Sequence, residues 1–258
     1  MGRLDGKVAV VTGAGGGLGR AMSVAFAREG AAVACQDLVE TAAKATADEI
    51  AARPGGRALA WACDVTDSGA IDAMFDAASE QLGVVDVLVN CAGVDRTPGD
   101  GFENGGFQLN HMSDDAWKRM LDIHLNGAFY CSRAMTRRLV DAKQGGSIIC
   151  VSSIAGLAGW GPPHYATAKA GLLGLVRSLA RFGGGLGIRA NAICPGVIDT
   201  AMTQGVPAPM IDGLKMLTPL GRVGEPADVA AAAVYLAGDE SSFVTGQALS
   251  PNGGLVIS

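Results

Sequence analysis

The chain has 258 residues, 49% of them hydrophobic, and a formal net charge of −5 at pH 7; a single α/β domain of that length buries a substantial core. The acidic balance and the lack of any dense Lys/Arg run exclude a phosphate-backbone footprint, so nucleic acid is not an expected partner. No apolar run reaches the roughly 18–20 residues that span a bilayer, because Arg177 and Arg181 interrupt the greasy stretch 170–182, and no membrane partner is expected either.

In chain order, Met1 to Lys7 lead straight into a strand-like run, Val8–Val11, which leaves no room for a leader and predicts a cytoplasmic protein. A helix near 17–29 follows, then strand Ala32–Cys35, a helix near 40–52, strand Ala58–Ala62, a helix near 67–82 and strand Val85–Val89. Short β-branched runs alternating with Ala-rich helical stretches mean βαβ units, and hence a doubly wound parallel sheet with helices on both faces. The polar, Gly-rich stretch Asp95–Asn110 reads as neither helix nor strand and is long for a connection, so it is expected to flank a site. Beyond it the pattern predicts one long helix from Ser113 to Val140, with Ser113 as N-cap and Asp114 and Asp115 in the first turn. Strand Ser147–Ser152, helix 164–182, strand Ile188–Ile193, an irregular Pro/Met segment at 201–217, a helix after Pro226 and a short strand near Gln247–Ser250 complete the chain. No repeat or linker marks a second domain, so residues 1–258 read as one unit. The six cysteines lack a C-x-x-C pair and the three histidines lack zinc spacing, which predicts reduced core thiols and no metal.

Strand one runs directly into Thr12-Gly13-Ala14-Gly15-Gly16-Gly17-Leu18-Gly19 and a helix. Glycines in such a turn let the backbone approach a pyrophosphate, whose charge is met by free N–H groups at the helix N-terminus; a merely tight βα turn is the plainer alternative. Asp37 stands 18 residues beyond Gly19 at the end of strand two, placed to accept hydrogen bonds from ribose hydroxyls and to repel a 2′-phosphate. Neither Ala14–Gly16 nor Leu38–Glu40 contains an Arg or Lys to greet that phosphate, so NAD is favoured over NADP.

Tyr165-Ala-Thr-Ala-Lys169 lies early in a predicted helix, where an i, i+4 pair faces one side and an ammonium favours phenolate. An unperturbed tyrosine has a pKa of about 10, so proton transfer near neutrality asks for a depression of roughly three units.

These residues, taken in order, resemble the classical short-chain dehydrogenase/reductases. The likeness rests on Thr12–Gly19, Asn90-Cys91-Ala92-Gly93, Ser153, Tyr165 with Lys169, and Pro195-Gly196, and it runs from Gly6 to about Gly254. It implies that Tyr165 exchanges the substrate proton, that Lys169 holds the nicotinamide ribose and lowers the tyrosine pKa, and that Ser153 hydrogen-bonds the substrate oxygen. Gly13, Gly17, Leu18 and Gly19 would cradle the cofactor. Asp64 and Val65 would contact adenine, Asn90 and Gly93 would line the cofactor, Pro195-Gly196 would form the turn beside it, and Ile198 and Thr200 would meet the carboxamide. The family's relay asparagine is replaced by His124, in His124-Leu125-Asn126-Gly127; either the imidazole takes over that role or it is a tolerated helix residue. Ser153 precedes Tyr165 by 12 residues where the family spacing points to Ser152, but the local pattern Ser152-Ser153-Ile154-Ala155-Gly156 puts the second serine in the catalytic place.

The implied function is hydride transfer between NAD and a secondary alcohol/ketone pair. An NADP-dependent carbonyl reductase is one alternative and a cofactor-binding sensor or scaffold without turnover another. Segments 95–112 and 201–217, with Trp160, Met202, Met210 and Met216, are expected to flank a hydrophobic substrate, although the methionines also suit ordinary lid packing. Helix 164–182 is apolar on more than one face, which predicts an oligomer, and the family resemblance implies a homotetramer.

Overall fold

A computed structural model describes residues 2–103, 106–203 and 207–257. Its centre is a seven-stranded sheet in the order β3-β2-β1-β4-β7-β8-β9, made of β1 (Val8–Thr12), β2 (Ala32–Asp37), β3 (Ala58–Ala62), β4 (Val87–Asn90), β7 (Gly146–Val151), β8 (Ile188–Ile193) and β9 (Ala248–Leu249). Every neighbouring pair in it is parallel, with β1 set between β2 and β4. β1 and β4 are buried along their whole length, as strands covered on both faces must be. Alternation of side chains divides the core in two. Val8, Val10, Leu88 and Ile148 point to one face and pack under α3 (Ser68–Leu82), α5 (Gly127–Ala142) and α7 (Pro163–Gly183). Ala9, Val11, Val33 and Ile149 point to the other and pack under α1 (Gly17–Arg28), α2 (Glu40–Ala51) and α9 (Pro226–Ala237). The doubly wound architecture read from the alternating runs is therefore the one observed, a Rossmann-type fold.

Three features depart from the expected elements. The helix expected over Ser113–Val140 is interrupted: α4 (Asp114–Leu121) passes into a π-helical turn at Asp122–Asn126 before α5 begins. Continuous helical periodicity cannot reveal one extra residue per turn, and such turns collect where side chains must be re-aimed for function. The stretch 95–110 is not structureless: β5 (Phe102–Glu103) and β6 (Gly106–Phe107) pair antiparallel, and a 3₁₀ turn follows at Leu109–His111. Phe102 and Phe107 meet edge to face with ring centroids 5.0 Å apart, and the Arg96 guanidinium lies 4.1 Å from the Phe102 centroid while also pairing with Asp100. The irregular segment expected at 201–217 contains α8 (Ala208–Leu217), started by Pro207. Residues 104, 105 and 204–206 of these two segments lie outside the described residues. A short α6 (Ile154–Ala158), not foreseen, follows β7.

Among the described residues no helix is long and apolar enough to cross a membrane.

Candidate active site

In an open doubly wound sheet, ligands bind beyond the strand C-termini where the order reverses, here between β1 and β4. The two strand ends are tied together by Thr12, whose hydroxyl oxygen accepts the backbone N–H groups of Cys91 and Ala92, both at 3.0 Å. The glycine turn leaves β1 at Gly13 with φ +66°, in the left-handed region, and Gly19 packs so closely that an added Cβ would lie 2.1 Å from the Gly13 carbonyl oxygen. Gly16 caps α1 without a side chain, so no side-chain oxygen takes the first-turn N–H groups. That is the cradle an anionic pyrophosphate requires. Gly17 faces Thr200 across this turn, 3.7 Å from the Cβ a side chain would add, and an open groove of about 710 Å³ runs from Gly15, Gly16, Gly17 and Thr200 outward between α1 and α9. Leu18 is half-buried at the start of the helix.

Asp37 already has work within the protein: its two oxygens accept Gly15 N–H at 2.9 Å and Val39 N–H at 3.0 Å. A carboxylate has about four lone-pair sites, so two remain for ribose hydroxyls. Asp64 is engaged more fully. Burial pushes its carboxyl up, but hydrogen bonds from the Thr66 N–H and hydroxyl and from Arg119, at 2.9, 2.8 and 3.1 Å, bring it below the ordinary range. Val65 is buried against Gly127. Asn90, expected to line the cofactor, turns inward instead: its amide nitrogen donates to the Ser132 hydroxyl at 3.2 Å and its oxygen is buried without a partner in the protein. Its place at the buried end of β4 forces that orientation. At the other strand end the Pro195 carbonyl accepts Ile154 N–H at 3.1 Å, Gly196 lies against the Asn252 backbone, and buried Ile198 bridges to Gly224.

The two serines divide their work. Ser152 is buried and its hydroxyl donates to the Lys169 carbonyl at 2.8 Å; Ser153 caps α6, accepting Ala155 N–H at 3.0 Å, and lies near enough to the Tyr165 phenol to act against the rise in its pKa. Lys169 is buried with its Nζ donating to the Val151 carbonyl at 2.8 Å and lying 5.5 Å from the Tyr165 ring centroid. Burial lowers the ammonium to about 8. Burial also pushes the phenol up to about 12, with the Ser153 hydrogen bond acting in the opposite direction and the Asp95 charge adding to the rise. In the protein by itself the enclosure that brings the pair together penalises both charges.

His124 sits in the π-helical turn, buried, with its ring edge to face against Tyr165 at 5.5 Å between centroids. Its Nε2 lies 2.8 Å from the Val94 carbonyl, and its Nδ1 has no partner in the protein. Gly93 makes room for it, since a Cβ there would lie 2.2 Å from the imidazole. Burial first, then the Lys169 charge, holds this histidine well below its usual value, so it is neutral. Thr12, which opens the quoted glycine motif, ties the two strand ends; Gln36, Val151 and Thr97 also shape the site and were not singled out from the sequence, because a backbone acceptor or an ordinary polar side chain leaves no motif.

The family model described as enoyl-(acyl carrier protein) reductase matches residues 13–256. The chain is 40% identical over 265 residues to a (3R)-3-hydroxyacyl-CoA dehydrogenase of Canis lupus familiaris, covering 99% of this chain and 98% of that protein. It is 38% identical over 258 residues to a meso-2,3-butanediol dehydrogenase of Serratia marcescens (99% and 97%) and 36% identical over 256 residues to a 3-oxoacyl-[acyl-carrier-protein] reductase of Thermotoga maritima (99% and 100%). With this fold and these relatives, the chain belongs to the short-chain dehydrogenase/reductase family. It is an oxidoreductase of hydroxyl/ketone substrates that works with a nicotinamide cofactor.

Proposed function

We propose that the protein is an NAD-dependent dehydrogenase that oxidises a secondary alcohol to a ketone, with Tyr165 as general base. The observation that carries this is the convergence of three side chains at the ends of β7 and α7: Ser153 lies near the Tyr165 phenol while Lys169 lies buried beside the same ring. A nicotinamide held by the glycine turn and Lys169 would supply the hydride acceptor for the carbinol carbon. In the oxidation direction Tyr165 first loses its own phenolic proton to solvent and, as phenolate, takes the alcohol proton; Ser153 orients the reacting oxygen, and Lys169 supplies positive charge that favours the phenolate. With the phenol at about 12 and the ammonium at about 8, the tyrosine starts as a neutral donor, which suits carbonyl reduction without further help; alcohol oxidation needs the added positive charge of the oxidised cofactor. His124, neutral and packed on the Tyr165 ring, is assigned to orient that ring on its inner side.

NAD rather than NADP follows from Asp37, whose carboxylate meets the position of a 2′-phosphate with like charge. Gly13, Gly17, Leu18 and Gly19 are assigned to the pyrophosphate, Asp64 and Val65 to the adenine, Gly93 to the cofactor beneath His124, and Pro195, Gly196, Ile198 and Thr200 to the nicotinamide end. Asn90 supports the site from below rather than lining it. The substrate class is a hydrophobic secondary alcohol or a 3-hydroxyacyl thioester, chemistry supported by the names of two of the relatives and by the exposed apolar side chains of Trp160, between α6 and α7, and Met202, just after Thr200. Six free cysteine thiols fit a reducing, cytoplasmic compartment.

The test is NADH formation on a panel of secondary alcohols and 3-hydroxyacyl thioesters, with wild type beside Tyr165→Phe. Turnover should fall by about 10²–10⁴ in the variant with NADH affinity kept, and NADH should bind more tightly than NADPH. A variant that keeps its activity would remove Tyr165 from the chemistry; a preference for NADPH would overturn the role of Asp37. NADH binding without turnover on the whole panel would identify a binding protein.

A further inference from the structure

α7 starts at Pro163 behind Pro162, which has no side-chain acceptor, so the first-turn N–H groups must find partners elsewhere. The N–H of Tyr165 is one of them, and it donates to the Nδ1 of the preceding His164 at 2.9 Å. An Nδ1 that accepts carries no proton, which places the imidazole proton on Nε2. That nitrogen lies 3.1 Å from the Thr97 hydroxyl oxygen, and the Thr97 hydroxyl in turn donates to the Ala116 carbonyl at 3.2 Å. One assignment satisfies every group in order: Tyr165 N–H to His164 Nδ1, His164 Nε2–H to Thr97 Oγ1, Thr97 O–H to Ala116 C=O. His164, Thr97 and Ala116 are all buried. Burial first, then Asp100 and Arg96 acting in opposite senses, leaves the ring below its usual pKa and therefore neutral.

Three segments meet in this chain of bonds. Thr97 belongs to the insertion after β4, where its carbonyl also accepts Asp100 N–H at 3.2 Å and Asp100 pairs with Arg96 beneath the Phe102–Phe107 hairpin. Ala116 lies in the first turn of α4, and the first donor in the chain is the main-chain N–H of the tyrosine assigned to proton transfer.

We infer that His164 and Thr97 are positioning residues that couple the 95–112 insertion to Tyr165, so that the seating of the loop beside the substrate sets the register of the phenol. The inference rests on Tyr165 being the acid/base. Small errors in the placement of a reacting group are costly to rate while leaving cofactor binding intact.

The decisive series is Thr97→Val, Thr97→Ser and Tyr165→Phe, with kcat, KM for the alcohol, NADH affinity and thermal midpoint read on each. Thr97→Val keeps the shape but strands the His164 Nε2–H; we expect kcat to fall about tenfold at unchanged NADH affinity, and Thr97→Ser to restore it. A Thr97→Val protein that loses thermal stability but keeps wild-type kcat reduces the chain of bonds to packing and overturns the inference, while Tyr165→Phe in the same series stays inactive. If Tyr165→Phe is active, the acid/base assignment and this inference fall together. Ring-nitrogen NMR of His164 in the wild type needs no variant to fold: an Nε2–H neutral ring at pH 7 agrees, and an Nδ1–H or doubly protonated ring overturns it.

Discussion

Asp86 shows how much a single carboxyl at a strand entrance can weigh. Burial pushes it up to about 6, against the Lys7 charge and the Val8 N–H it accepts at 3.3 Å. In the unfolded chain it ionises near 3.9. Between those values the unfolded state has lost its proton and the folded state has not, so stability falls as pH rises through this window and stays lower above it. Asp86→Asn keeps an acceptor for Val8 and removes the penalty. The variant should be more stable than wild type at pH 8, by about 2–3 kcal/mol at most, with the gap closing towards pH 4. Urea midpoints at the two pH values check this; an equal gap at both would mean that ionisation of Asp86 is not the cause. Tyr165, Lys169, Ser153 and the glycine turn were legible as residues because chemistry restricts the type at each position. The His164–Thr97 link was not, since it joins positions 67 residues apart through ordinary side chains. Nor was the inward turn of Asn90, which depends on what lies beneath β4.

Among the helices, α3 carries a strong local signal: the Asp67 carboxylate accepts Gly69 N–H at 2.8 Å and Ala70 N–H at 3.1 Å. Asp67→Ala removes the acceptor and the favourable charge at the helix start, and should cost about 1 kcal/mol. For a chain of this size that is a fall of about 2–4 °C in thermal midpoint, read by calorimetry with activity unchanged at 25 °C; a midpoint that does not move would show that water replaces the cap without loss. Such capping, like the alternation of strand and helix, is local and can be read from a few consecutive residues. The π-helical turn is not local in this sense. The register shift at Asp122–Asn126 places His124 against Tyr165 and brings Gly127 to Val65, partners supplied by α7 and by the connection after β3. α8 escaped for the opposite reason: none of its residues is buried in the single chain, so it lacks the burial that makes an apolar stripe decisive.

Among the described residues several large apolar side chains stay exposed in the single chain, and two groups of them bear on assembly. Phe129 and Val140 of α5 and Phe182 of α7 make up one, and Phe243 and Ile257, 102% and 90% exposed near the C-terminal end, the other. We propose that each group meets its own copy across a two-fold axis, which would build a homotetramer. Light scattering of the eluted wild type should give four chains, and Phe129→Glu combined with Val140→Glu should halve the mass by putting charge into the α5–α7 surface; a monomeric wild type would end the proposal. The alternating strands and helices of the large sheet, the glycine turn and the spacing of the Y-x-x-x-K pair were legible in the sequence alone, because each depends on the steric and hydrogen-bonding properties of neighbouring residues. The tertiary structure alone carries the burial that raises Tyr165 and lowers Lys169, the position of Ser153 near the phenol, and the contact of Thr97 with His164. These depend on desolvation and on distances between segments far apart in the chain, which no stretch of sequence contains.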